Sequence, residues 1–93
     1  MSKNKHKISG SERRVLERLI FPESFQDIME ETGLQYGELR DDLINLLSFR
    51  FVEAYQGDGS RVVLTSFYDS DNLQNFTFRA TQKGLSAIKE SQP

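Results

Sequence analysis

Carboxylates stand side by side at Glu30-Glu31 and at Asp41-Asp42 in this chain. A general acid/base dyad or a metal site needs carboxylates that converge, and sequential neighbours on a helix point in different directions. The one histidine, His6, lies among Lys3, Lys5 and Lys7 in a polar start with no hydrophobic periodicity. A serine nucleophile therefore has no positioned base. The absence of cysteine excludes disulfides, thiol nucleophiles and thiolate metal sites, and a single histidine excludes a histidine cluster. Gly57-Asp58-Gly59 is rich in glycine, but no helix pattern follows it and the Gly-Lys-Ser/Thr ending of a phosphate loop is missing. The sequence thus predicts no catalytic residue, no metal and no cofactor, and an enzyme is not expected.

What remains is charge and packing. The 93 residues suit one small domain, and the net charge is −2. That near-neutral total hides a strong segregation. Residues 1–21 carry +4, from Lys3, Lys5, Lys7, Arg13, Arg14 and Arg18 against Glu12 and Glu17. Residues 22–60 carry −7, with Arg40 and Arg50 facing nine carboxylates. Residues 61–93 carry +1. No apolar run approaches the roughly 18 residues that span a bilayer. The start lacks the apolar stretch of a secretory signal, so a cytoplasmic location and no membrane partner are expected.

The elements that position these charges are legible from caps and periodicity. Residues 1–8 read as a disordered basic arm and 9–91 as a single domain. Ser9-Gly10-Ser11-Glu12 has the capping-box spacing and predicts a first helix from about Gly10 to Phe21, with Val15, Leu16, Leu19 and Ile20 inward and Pro22 as its stop. Ser24 and Asp27 open a short second helix that buries Phe25, Ile28 and Met29. Gly33 ends it, as the residue that takes positive φ cheaply. A third helix follows from about Gln35, with Leu39, Leu43, Leu46 and Leu47 at helical spacing and Tyr36 and Ile44 widening the stripe. Residues 51–55, 61–68 and 74–80 read as strands, separated by turn clusters at 56–60 and 69–72. Thr81 caps a last helix with Leu85 and Ile88 inward. Most of Tyr36, Phe49, Tyr55 and Tyr68 are expected to pack in the core. The fold class is α+β: three helices, two or three antiparallel strands, and a C-terminal helix.

This order resembles a winged helix-turn-helix domain over about residues 10–90. Phe25 to Leu34, with the leucines that follow and then Phe51-Val52, looks like the helix-turn-helix core of bacterial regulators. Ala80-Thr81-Gln82-Lys83-Gly84-Leu85 looks like the Leu-Thr-x-x-Gly motif that closes the wing in MarR-like repressors, with alanine in place of the usual leucine. The resemblance implies a transcriptional regulator that binds duplex DNA, with the third helix in the major groove and the hairpin on the flanking backbone. It implies base readers at Gln35, Tyr36, Glu38 and Arg40, since Gln and Arg pair bidentately with base edges. Arg61 and Arg79 would touch phosphates, Lys3, Lys5 and Lys7 would reach a groove or backbone, and the domain would pair as a homodimer.

The charge runs against that job. DNA affinity comes largely from Lys and Arg displacing counterions from phosphates, and the −7 block is the helix-turn-helix itself. Carboxylates near a helix N-terminus are accounted for by the dipole, at a few tenths of a kcal/mol each, roughly. They still repel a duplex. The alternative expectation is a winged-helix module that contacts another protein through an acidic third helix.

Overall fold

In a computed structural model the chain is described over residues 8–57, 62–65 and 72–90. The elements are α1 (Gly10–Arg18), β1 (Glu23–Ser24), α2 (Phe25–Thr32), α3 (Tyr36–Ser48), β2 (Val52–Gly57), β3 (Val62–Thr65), a 3-10 turn (Leu73–Asn75), β4 (Thr77–Ala80) and α4 (Gln82–Glu90). Over the described residues the fold is α+β, with four helices and an antiparallel sheet.

The caps act where their spacing places them. The Ser9 hydroxyl accepts from the Glu12 N–H at 3.1 Å, and the Glu12 carboxylate accepts from the Ser9 N–H at 3.0 Å. Together they satisfy two donors that α1 cannot bond internally. Ser24 accepts from the Asp27 N–H at 3.2 Å and opens α2. Gly33 closes α2 at φ 77°, with its N–H on the Met29 carbonyl. That left-handed backbone suits a residue without Cβ.

Two expected boundaries move. The first helix ends at Arg18, short of Phe21. The Leu19 N–H tightens onto the Leu16 carbonyl, three residues back, and the Leu19 carbonyl turns away to accept from the Ala80 N–H at 2.8 Å. Sheet contact ends this helix before Pro22 acts. Ile20 therefore leaves the buried stripe and is 53 % exposed, and Phe21 is 73 % exposed. The last strand starts at Thr77 rather than at residue 74, because Leu73–Asn75 winds into the 3-10 turn that sinks Leu73 fully into the core. Residues 66–68 of the expected middle strand, and most of both turn clusters, lie outside the described residues.

The strand order in the sheet is β1-β4-β2-β3. The two-residue β1, which no strand pattern announces, pairs Glu23 with Phe78 and Ser24 with Thr77. β2 pairs with β4 on one side, Val52 facing Ala80 and Tyr55 facing Thr77, and with β3 on the other. Alternation then turns Val52, Ala54, Phe78 and Ala80 inward and Glu53, Tyr55, Thr77 and Arg79 outward. The core fills from both layers: Val15, Leu16 and Leu19 of α1 and its end, Phe25 and Ile28 of α2, Leu39, Leu43 and Leu46 of α3, and Phe76 and Phe78. Each such side chain contributes about 1.5–3 kcal/mol on full burial.

The end of α3 carries the tightest construction. The Arg50 N–H bonds the Leu47 carbonyl and the Phe51 N–H bonds the Leu46 carbonyl. This is a Schellman motif, with buried Phe51 over buried Leu46. Its left-handed position is held by Arg50 at φ 62°, where glycine is usual. The next carbonyls are taken up by the start of α4. Lys83 Nζ donates to Phe49 O at 2.9 Å, Thr81 Oγ1 to Arg50 O at 2.7 Å, and the Thr81 N–H to Phe51 O at 3.0 Å. Thr81 Oγ1 also accepts from the Gly84 N–H, capping α4. Lys83 further lies 5.1 Å from the Phe51 ring centroid.

Gly84 is pressed against this junction. A Cβ there would run into the backbone carbonyl of Phe51, with Leu16 Cδ1 at 3.2 Å closing the other side. Gly84→Ala should lose about 2–3 kcal/mol in chemical denaturation, because backbone rather than a flexible side chain must move. Arg50→Gly should gain about 0.5 kcal/mol in the same assay, relief of left-handed strain outweighing the added freedom of the unfolded chain.

Candidate functional site

The exposed side of α2 and α3 is where the expected recognition residues gather. Gln35 is the N-cap of α3 and is exposed. Its N–H donates to the Glu38 carboxylate at 2.9 Å, so Glu38 is engaged in closing the first turn of its own helix. Tyr36 does not join the buried stripe. It is 44 % exposed and leans on the Phe25 ring, with centroids 5.3 Å apart. Arg40 is half-buried, with its guanidinium 3.6 Å from Asp41. Both helices carry exposed carboxylates: Asp27, Glu30 and Glu31 on α2, and Glu38 and Asp41 on α3.

Arg79 belongs to another group. It lies opposite Glu53 in the β2–β4 register and near Tyr55 on the outward face of the sheet, where its charge opposes the rise in the Tyr55 pKa. Tyr55 donates its phenol to Glu53 Oε1 at 3.0 Å. Burial raises the Tyr55 pKa first, and the Glu53 carboxylate adds to the rise. This cross-strand trio depends on register, which alternation alone does not disclose. Phe49 is at the edge of exposure and stacks on Phe51, 6.2 Å between centroids. Arg61, Lys3, Lys5, Lys7 and Tyr68 lie outside the described residues.

A second acidic feature joins α1 to α3. Glu12 is buried, and its second oxygen accepts from Asn45 Nδ2 at 3.1 Å. One turn earlier on α3, Asp42 lies near Ser11. Its pKa is raised, first by burial and then by the nearby charges of Glu12, Asp41 and Glu38, while Ser11 opposes the rise. Asp42 Oδ2 is buried and has no hydrogen-bond partner among the described residues. Glu38, Asp41, Asp42 and Asn45 follow i, i+3, i+4, i+7 spacing and so form one stripe along α3. The sequence signal for that stripe is the spacing itself, which reading Asp41-Asp42 as a mere sequential pair passes over.

Among the described residues no group of three or more His, Asp or Glu side chains is arranged to hold a metal ion. No helix there is long and apolar enough to cross a membrane. Comparison with protein-family models, curated proteins and solved structures finds no match to the chain.

Acid crowding also marks the α1–α2 corner, where Glu23 faces Glu31 and Asp27. Partial burial raises the Glu23 pKa first, the two carboxylates add to it, and Arg18 opposes. A carboxyl whose folded-state pKa is raised contributes stability at low pH that is lost as pH rises through the folded value. Glu23→Gln should therefore unfold at higher temperature than the parent at pH 7, by a few tenths of a kcal/mol after solvent screening. The two should converge below about pH 4, near the unfolded carboxyl value. Thermal unfolding monitored by circular dichroism across pH 3–8 checks both limits.

Proposed function

We propose that the chain is a winged-helix domain whose α2–α3 face recognises a protein partner bearing a basic surface. The observation that carries this reading is the charge on that face. Five exposed carboxylates lie across α2 and α3, and the arginine among them is half-buried beside Asp41. A helix laid into a major groove brings phosphates close on both sides, and affinity requires cations there to release counterions. Carboxylates meet the opposite need, steering a cationic partner and rejecting anionic ones. Glu38, one of the expected base readers, already serves the α3 cap.

A second reading, a regulator that binds duplex DNA as a homodimer, is favoured by the order of elements. Two helices joined through the Gly33 turn, then antiparallel strands, then a short helix opened by Thr81, is the arrangement in which the second of the pair reads bases. Lys3, Lys5 and Lys7 would supply its phosphate contacts.

One pair of titrations separates the two. At about 50 mM salt a labelled random duplex should bind no tighter than roughly 10⁻⁴ M, the weak limit of non-specific binding. A short Lys/Arg-rich peptide should instead shift the amide resonances of α2 and α3, with an effect that fades as salt is added. The Glu30→Lys/Asp41→Lys variant should lose the peptide response. Salt-sensitive duplex binding that moves the α3 resonances would overturn the protein-partner reading in favour of the regulator.

A further inference from the structure

Phe21 is the most exposed large apolar side chain among the described residues, at 73 %, and Ile20 beside it is 53 % exposed. The other two exposed large hydrophobics rest on rings of the fold: Tyr36 leans on Phe25 and Phe49 stacks on Phe51. Ile20 and Phe21 belong neither to the buried core nor to the half-buried side chains packed against it. Isolated exposed apolar residues are ordinary on a protein surface. These two are adjacent and are held outward together.

What holds them lies on both sides. The Leu19 carbonyl accepts from the Ala80 N–H at 2.8 Å, and Glu23 pairs with Phe78 of the same strand. The link of Ile20, Phe21 and Pro22 is thus pinned to β4 at each end, and Pro22 has a fixed φ. Side chains on a pinned segment lose little freedom when a partner covers them, so more of the apolar gain survives as affinity. β1, which follows the link, is the outermost strand on its side of the sheet.

Charge selects the occupant. Glu23 is acted on by the Glu31 and Asp27 carboxylates of α2 and, in the opposite sense, by Arg18 at the end of α1. Among the described residues these three carboxylates stand against one arginine, and the corner is net negative. A second copy would bring the same excess of acid against itself, and such like-charge juxtaposition rejects a partner. A segment with Lys or Arg on either side of an apolar side chain answers both features. Its apolar group covers Phe21 and its cations offset the carboxylates.

We propose that the α1–β1 corner, built on Ile20 and Phe21 and edged by Glu23, Asp27 and Glu31, docks a basic segment of a partner protein through an apolar side chain. The surface uses no residue of α3, so the proposal stands under either reading of function.

Two peptides test it on the full chain, one alternating lysine with leucine and one with serine in place of each leucine. The leucine peptide should shift the amide resonances of Arg18, Ile20, Phe21 and Glu23. It should bind at least about tenfold tighter than the serine peptide, the order expected for covering one Phe side chain. Phe21→Ser should lose that difference and Phe21→Leu should keep most of it. Both replace a side chain outside the core and should unfold at the parent's temperature. Glu23→Gln/Glu31→Gln should weaken both peptides and reduce their salt dependence. Equal binding of the two peptides, or no shift from either up to about 1 mM, overturns the proposal. So does a response that Asp41→Lys abolishes and Phe21→Ser spares, since the segment would then sit on the α2–α3 face alone. A concentration-dependent dimer that Phe21→Ser dissolves overturns it as well, the occupant being a second copy.

Discussion

Three consecutive carbonyls at the end of α3, those of Phe49, Arg50 and Phe51, depend on donors from the beginning of α4. Carbonyls there have no partner within their own helix, and leaving that of buried Phe51 unbonded costs more than any single contact returns. Thr81 meets that demand twice while also capping α4. The close approach that lets it do so is possible because Gly84 has no side chain to strike Phe51. Ala80, one residue earlier, bonds Leu19 at the end of α1. Two adjacent residues thus tie the ends of α1 and α3 to one point. The angle of α3 against the sheet, and with it the face α3 shows to solvent, follows from that tie.

Against this well-satisfied junction, the opposite end and outward side of α3 are poorly balanced. Glu38 serves a cap and Asp41 meets Arg40, but Asp42 carries its charge into the α1–α3 contact. Asp42 is held half-buried beside Glu12 by the same α1–α3 contact that makes the fold compact. Burial and like charge act on it in the same direction, which is why its carboxyl keeps its proton to higher pH than an ordinary aspartate. Surfaces that retain such repulsion are where binding has most to relieve. A cationic group arriving there gains both its own attraction and the loss of carboxylate repulsion.

The helices were the legible part, because their signals are local. Ser9 with Glu12, Ser24 with Asp27, Gly33, and Leu39-Leu43-Leu46 each act over four to eight residues, and each forms as its spacing predicts. The misplacements arise where a distant partner decides. Leu19 gives its carbonyl to Ala80, sixty-one positions away, and so ends α1 early. β1 exists because β4 lies beside it, and Glu23-Ser24 has no pattern of its own to announce a strand. Phe76 and Phe78 share a buried face as period two predicts, yet the chain reaches them through a 3-10 turn. The carboxylates were visible by type. Their grouping was not, because Glu12 joins Asp42 only through helix packing and Arg79 joins Glu53 and Tyr55 only through register.

The position of β4 between β1 and β2 sets an order of assembly. α2 and α3 can wind from neighbouring residues, and β2 and β3, four residues apart in the chain, pair with each other. β4 must then enter a gap whose two walls are supplied by residues 23–24 and 52–55. Contacts across such sequence distances close slowly, because chain entropy is lost before they are rewarded. During synthesis the sheet therefore stays open until residue 80 has emerged, and α3 stays unsealed until Thr81 and Lys83 follow. The domain is committed to its final form only when β4 and the start of α4 are in place.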